Sequence, residues 1–292
     1  MADQFIPEEI TLSRAAGAFI AATSTESGEH IRPLHRYLGI RLVIEGGFLP
    51  EELSPAPPLK SEYHGGDWYL SFNPTAENKK EQIVLGALKS KRIDIVVAKE
   101  GIGPVLAISV KGTSKAFRNL VNRTEEAIGD CANIHIMYPG LVYGFVHFLR
   151  ATDATDRTLK PNDILLNKKG DVLPSVKDYA RILEGLAGRM LVRNDYSRYE
   201  SVALALLRVN GVEGQSPLFR KFPGSTSPLS LDAFFATLCR VYDLRFAYTY
   251  TDPGVKHLTR LMWHQDSAAL RSLQNKKLVK ESIDYSPRVS GT

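Results

Sequence analysis

Residues 93–111, IDIVVAKEGIGPVLAISVK, contain two short apolar runs separated by a loop with two glycines and a proline. Runs that are rich in Val and Ile and bounded by Gly and Pro predict a β-hairpin. A register that is symmetric about the loop places Asp94 opposite Ser109, and Lys111 points to the same face two residues further on. The sequence therefore predicts an acid, a serine and a lysine together at the open end of an apolar hairpin.

The segments around the hairpin predict both helices and strands. Helices are expected after Pro33 and at Glu77–Lys91 and Lys115–Cys131, and strands at Asp67–Phe72, Ile134–Tyr138 and Val142–Leu149. After Asp153 the pattern becomes helical, with helices expected at Ser175–Val192, Asp195–Val209 and Leu231–Asp243. We therefore expect an α/β protein: a central mixed β-sheet flanked by helices in residues 1–152, and a mainly helical, basic region in residues 153–292.

Composition indicates a globular protein with a net positive C-terminal part. The chain has 292 residues, of which 43% are hydrophobic and 24% charged, so a large core can form. Residues 1–174 contain 20 Lys+Arg and 21 Asp+Glu, whereas residues 175–292 contain 17 and 11, so the net charge is −1 and +6. A basic half suits a polyanion such as nucleic acid, although many proteins of this charge bind none.

Two further features concern cellular location. Cys131 and Cys239 lie far apart in apolar surroundings, which favours buried thiols over a disulfide or a zinc site. The N-terminus carries acids where a signal peptide has bases, and no run of apolar residues is long enough to span a membrane. We expect a cytoplasmic protein without a membrane partner.

Two glutamates are candidate additions to the hairpin group. The helix after the hairpin has an apolar stripe at Phe117, Val121, Thr124, Ile128 and Cys131. Glu125 lies beside this stripe and is expected to face the hairpin, whereas Glu126 is rotated by about 100° toward solvent. Glu45 falls on the inner face of the first helix and is a candidate outer ligand.

These residues suit the hydrolysis of a phosphodiester. Mg²⁺ prefers oxygen ligands and usually takes one or two carboxylates, here Asp94 and Glu125. The ion would polarise the phosphate, and Lys111 would orient a water and offset the growing charge. Each residue alone has a structural alternative: Asp94 could end a strand, Ser109 and Lys111 could be an edge-strand exit, and Glu125 could be a solvated acid.

Asp94 with Ser109-Val110-Lys111 on the paired strand resembles the PD-(D/E)XK nuclease superfamily, with the middle acid replaced by serine. In the type II restriction endonucleases that cut CCGG-centred sites, the Ser-Val-Lys variant is accompanied by a glutamate on the following helix. Here 13 residues separate Lys111 from Glu125, as in that group. The resemblance implies that Glu125 replaces the missing ligand. Glu45 resembles a further glutamate of the same site.

The resemblance covers roughly residues 32–149 and implies a restriction-endonuclease-like core. It implies a Mg²⁺-dependent type II restriction endonuclease that cuts double-stranded DNA as a homodimer. It does not imply the same DNA recognition sequence. The base-reading Arg-Ser-Asp-Arg element of those enzymes would fall at residues 115–118, which lack the acid. Two alternatives are a defence or repair nuclease with low sequence specificity and a catalytically silent DNA-binding protein.

Basic residues near the hairpin are candidates for DNA contacts. Lys115, Arg118 and Arg123 connect the catalytic strand to the next helix, and an arginine such as Arg118 can pair bidentately with guanine. Arg193 and Arg198 flank a tyrosine in the basic half of the chain. A solvated helix face or a helix cap is the structural alternative for both groups.

Overall fold

The computed structural model describes residues 5–22, 28–76, 81–115, 117, 120–155, 159–192, 195–209, 216–247, 258–275 and 283–290. The helices are α1 (Leu12–Ala21), α2 (Arg32–Ile44), α3 (Leu120–Met137), α4 (Pro174–Gly185), α5 (Leu231–Tyr242) and α6 (Ala268–Gln274). The strands are β1 (Leu53–Ser54), β2 (Leu59–His64), β3 (Asp67–Phe72), β4 (Gln82–Val84), β5 (Lys91–Ile93), β6 (Ile95–Lys99), β7 (Gly103–Thr113), β8 (Val142–Ala151) and β9 (Ser201–Arg208).

A five-stranded mixed sheet forms the centre of the molecule, in the order β1-β6-β7-β8-β9. The pairs β1/β6 and β6/β7 are antiparallel, and the pairs β7/β8 and β8/β9 are parallel. Parallel neighbours require a crossover connection, and α3 and α4 lie in the two crossovers. The predicted α/β fold with a central mixed sheet flanked by helices is confirmed.

Both faces of the sheet are covered. Helices α1, α2 and α5 pack on one face and helices α3 and α4 on the other. Successive strand residues alternate between the two cores: Ile95 and Val97 contact the first, and Val96 the second. Burial on both faces explains why these strands are almost continuously apolar.

The register of the predicted hairpin is confirmed at its open end. Ile95 pairs with Ile108, as a register symmetric about the loop requires. Near the loop a bulge shifts the pairing by one residue, so Ala98 lies opposite Pro104 instead of Val105. Strand β7 continues past Ile108 to Thr113, and its pairing there is with β8.

The helix expected at Asp195–Val209 is wrong, because residues 201–208 form β9. The sequence SVALALLR is apolar throughout, and such a run fits a buried strand as well as a buried helix. Strand β9 pairs with β8 from Ser201 to Arg208, so residues beyond 152 complete the sheet of the first region. The predicted helices at Ser175–Val192 and Leu231–Asp243 are found as α4 and α5, although α4 ends earlier.

Two other sequence predictions are corrected. The strand expected at Ile134–Tyr138 is the end of α3, because Ile134 continues the buried stripe of that helix. The helix expected at Glu77–Lys91 is replaced by the short antiparallel strands β4 and β5, with residues 77–80 lying outside the described residues. These short strands form a small separate sheet next to the hairpin.

Candidate functional site

Asp94 lies in the bend where the chain leaves β5 and enters β6. Strand β5 belongs to the small sheet and β6 to the central sheet, so the bend places this acid at the junction of the two. The backbone N–H of Val110 donates to Asp94 Oδ2 at 2.6 Å, and Ser109 Oγ lies 3.5 Å from the same oxygen. The predicted proximity of Asp94 and Ser109 is therefore confirmed.

Lys111 follows on the same strand and meets an acid from α3. Its side chain is 28% exposed, and its Nζ lies 3.9 Å from Glu126 Oε1. Arg123 Nη1 donates to the other oxygen, Oε2, at 2.9 Å. Burial alone would raise the pKa of Glu126, but the hydrogen bond from Arg123 and the charges of Lys111 and Arg123 outweigh it and lower the pKa. Glu126 therefore carries a negative charge beside the lysine.

The predicted orientation of α3 is wrong. Glu125 and Glu126 are both exposed, and it is Glu126 whose carboxylate lies beside Lys111. The helix begins at Leu120, and its buried stripe is formed by Leu120, Thr124, Ala127, Cys131 and Ile134. This stripe is rotated from the one that the sequence predicted, and a shift of one residue turns a helix face by about 100°.

Glu45 does not join the Asp94 group. It caps the C-terminus of α2, and Arg41 Nε donates to its Oε2 at 2.8 Å. Arg41 is fully buried, so Glu45 compensates its charge together with Asp232, whose Oδ1 accepts from Arg41 Nη2 at 3.4 Å. The residue of α2 that reaches Asp94 is His35, ten positions earlier and about 15 Å away along the helix axis.

His35 and Glu81 complete the group around Asp94, and sequence reasoning missed both. His35 Nε2 lies 3.9 Å from Asp94 Oδ1, and His35 Nδ1 lies 3.6 Å from Glu81 Oε1. Gln82 pairs with Ile93, which places Glu81 beside Asp94 at the end of the small sheet. The contact with His35 lowers the pKa of Glu81; burial opposes this, and the positive charges of Arg92 and Arg32 add to it.

The sequence contained a signal for one of these two residues. His35 lies four positions after Ile31 and three before Leu38, so a helical wheel places it on the buried face of α2. A histidine on an apolar helix face is a candidate buried polar group. Glu81 carries no comparable signal, because its position depends on the pairing of two three-residue strands.

A buried histidine lies beside Lys111 on the neighbouring strand β8. His147 pairs with Lys111 in the register of β7 and β8. Its Nδ1 lies 2.6 Å from the Tyr179 hydroxyl, and its Nε2 lies 2.9 Å from Thr113 Oγ1. Burial lowers the pKa of His147 to about 3, and the charges of Arg123 and Lys111 add to this shift. His147 is therefore a neutral, hydrogen-bonded core residue.

The residues predicted to contact DNA are partly described. Lys115 is exposed after the end of β7, and Arg123 is half exposed on α3. Arg198 lies 3.7 Å from Asp195 at the surface, in an i,i+3 pair. Arg118 and Arg193 lie outside the described residues.

Comparison with known proteins finds no match for this chain. No protein-family model matches the chain, no curated protein is significantly similar to it, and no solved structure matches it. Within the described part of the chain, no helix combines the length and the hydrophobicity that crossing a bilayer requires. The geometry around Asp94 and Lys111 is therefore the basis for assigning a function.

Proposed function

We propose that the protein is a divalent-metal-dependent endodeoxyribonuclease that hydrolyses phosphodiester bonds of double-stranded DNA, of the type II restriction kind. The observation that carries the proposal is the contact of Asp94 with Ser109 and with the backbone N–H of Val110 at the open end of the β6–β7 hairpin, with Lys111 the next residue on the same strand. The resemblance to PD-(D/E)XK nucleases requires this arrangement. An acid of the following helix lies beside the lysine, although it is Glu126 instead of Glu125.

The donor atoms at this position fit a divalent cation. Asp94 Oδ2 is held by the N–H of Val110, which fixes the carboxylate and leaves Oδ1 directed toward His35. Asp94 would hold the ion through Oδ1. When bound, a divalent ion such as Mg²⁺ supplies a positive charge that polarises the phosphate and lowers the pKa of a water molecule.

The chain's own residues would do the remaining work. Lys111 would place its ammonium beside the scissile phosphate, where it offsets the charge that grows during attack and orients the attacking water. Glu126 would hold that ammonium in position from α3. Ser109, which is buried, keeps an uncharged hydroxyl where most members of the superfamily have an acid.

A cleavage assay on a supercoiled plasmid of mixed sequence tests this proposal. The protein is incubated with Mg²⁺, with Mn²⁺ and with a chelator, and Lys111→Met serves as the inactive variant. We expect discrete fragments in the presence of a metal and none with Lys111→Met, while the exposed-acid control Glu125→Gln cuts like the wild type. A smear would favour a nuclease of low specificity, and an intact plasmid under all conditions would favour a silent DNA-binding protein.

The same assay addresses the assembly that the resemblance implies. A two-fold dimer on a palindromic site cuts both strands in one binding event. We expect linear plasmid to form without accumulation of the nicked form. Lys115 and Arg123 are the described candidates for backbone or base contacts, and their loss should weaken binding and its salt dependence.

A further inference from the structure

His35 has a buried nitrogen without a partner. The side chain is 6% exposed, and among the described residues no group forms a hydrogen bond with its Nε2. Buried polar atoms in native proteins nearly always have a partner, so an orphaned one requires an explanation. The Nε2 atom points toward Asp94 Oδ1, at 3.9 Å, which is too long for a direct hydrogen bond.

Three chain segments bring ligand atoms together at His35, whose Nε2 faces Asp94 and whose Nδ1 faces Glu81. His35 comes from α2, Glu81 precedes β4 and Asp94 precedes β6. One ligand atom from each residue lies within 4.8 Å of the other two. Ligand atoms around one octahedral ion stand about 3 to 4.2 Å apart, so small side-chain rotations would close the group around a metal.

The charges of the group also suit a dication. Two carboxylates face one imidazole, and Arg92 Nε is 3.9 Å from Glu81 Oε2, on the other side of that carboxylate. The second oxygen of Glu81, Oε1, is directed at His35. The negative charge on the inner side of the group is therefore compensated only in part by Arg92.

We propose that His35, Glu81 and Asp94 form a transition-metal site, and that this site takes Mn²⁺ in preference to Mg²⁺. Mg²⁺ demands oxygen ligands in a rigid octahedral geometry, whereas an imidazole nitrogen suits first-row transition metals. Three protein ligands leave positions for solvent and for a phosphate oxygen, as in catalytic metal sites. The inference rests on the proposed nuclease function only in assigning the ion to phosphodiester cleavage.

Mn²⁺ titration of the full chain without DNA tests the site directly. Free Mn²⁺ is counted by electron paramagnetic resonance for the wild type, His35→Gln, Glu81→Gln and the control Glu125→Gln, which removes an exposed acid. We expect one tight site in the wild type and the control, with affinity reduced on the order of 100-fold in the other two variants. Mg²⁺ should compete only at a large excess over Mn²⁺.

A spectroscopic signature separates a metal ligand from a structural contact. An imidazole bound to Mn²⁺ gives a nitrogen coupling in pulsed paramagnetic resonance spectra, and His35→Gln should remove it. Equal Mn²⁺ affinity in the wild type and His35→Gln, without any nitrogen coupling, would overturn the proposal and leave His35 as an ionic bridge between two acids. Should His35→Gln fail to fold, the nitrogen coupling of the wild type and the affinity of Glu81→Gln decide the question.

The failures of the two proposals are distinguishable. A nitrogen-coupled Mn²⁺ site in a protein that leaves every plasmid intact would support the metal site and contradict the nuclease. A protein that cuts plasmid equally well with Mg²⁺ and Mn²⁺, shows no nitrogen coupling and tolerates His35→Gln would support the nuclease and contradict the metal site.

Discussion

Two charged clusters in this molecule differ in how closely their charges are paired. In the first, the fully buried Glu200 carboxylate contacts Arg189 Nη1 and Arg245 Nη1, each at 2.6 Å from Oε1. The backbone N–H of Tyr143 donates to its Oε2 at 2.6 Å. Arg189 Nη2 also donates to the carbonyls of Pro139 and Val192, so the charges of this cluster are held by short contacts.

The second cluster, around Asp94, is open. His35 lies 3.6 Å from Glu81 and 3.9 Å from Asp94, and both acids remain partly exposed. Buried charge is costly unless it is paired and hydrogen-bonded, and the Glu200 carboxylate meets that condition through contacts of 2.6 Å, although His135 Nε2 and Arg245 Nε beside it also form no hydrogen bond with the described residues. The contrast indicates that the Glu200 cluster holds the chain together, while the Asp94 cluster is arranged for a ligand. The two should therefore respond differently to mutation.

Asp94→Asn should abolish cleavage and leave the fold intact. Asparagine keeps an oxygen for the N–H of Val110 and removes the charge that would hold a metal. We expect the cleavage rate to fall on the order of 10⁴-fold with a nearly unchanged melting temperature. Plasmid cleavage and thermal unfolding, measured on the same preparation, check both expectations. A strongly destabilised variant would show that Asp94 stabilises the fold, as the Glu200 cluster does.

Glu200→Ala should have the opposite effect to Asp94→Asn, because it should destabilise the fold. It leaves the buried guanidinium groups of Arg189 and Arg245 without their counter-charge, and breaking a buried pair in this way costs about 3 to 5 kcal/mol. Urea unfolding measures the decrease in the free energy of unfolding. Asp178→Ala, which removes an exposed i,i+3 partner of Arg181, is the control and should change stability by less than about 1 kcal/mol.

The sequence was sufficient for the part of the site that lies on one hairpin. Two apolar runs rich in Val and Ile, joined by a loop with glycine and proline, predict the neighbours of Asp94, and the bulge lies at the far end. The sequence predicts the wrong acid of α3 because its predicted apolar stripe begins at Phe117, whereas the helix begins at Leu120. Strand β9 was missed because a fully apolar run does not distinguish a buried helix from a buried strand.

His147 extends the comparison to a histidine that is fully paired. Its pKa of about 3 in the folded state lies below the usual 6.5, so the unfolded chain binds a proton more readily. Stability from this residue is complete above about pH 6.5 and is lost as the pH falls toward 3. We expect it to contribute about 2 kcal/mol of destabilisation between pH 7.5 and pH 5.

Urea unfolding of the wild type and His147→Gln at several pH values measures this contribution. The variant loses the contacts with Thr113 and Tyr179, so it should be less stable at neutral pH. Its stability should nevertheless fall less steeply on acidification. Parallel pH profiles of the two proteins would show that His147 is not the group that titrates.

The smallest expected effect is the difference in cleavage between variants of two neighbouring acids of α3. Glu126→Gln removes the negative charge 3.9 Å from the Lys111 ammonium, while Glu125→Gln changes an exposed side chain. If Glu126 positions Lys111, its loss should lower kcat about 10-fold and leave KM nearly unchanged, because the ammonium is then no longer held in place for the attack. Glu125→Gln should leave both unchanged. Because each variant alters one carboxylate on the same helix, equal rates would remove α3 from the site, and a slower Glu125→Gln would restore the orientation that the sequence predicted.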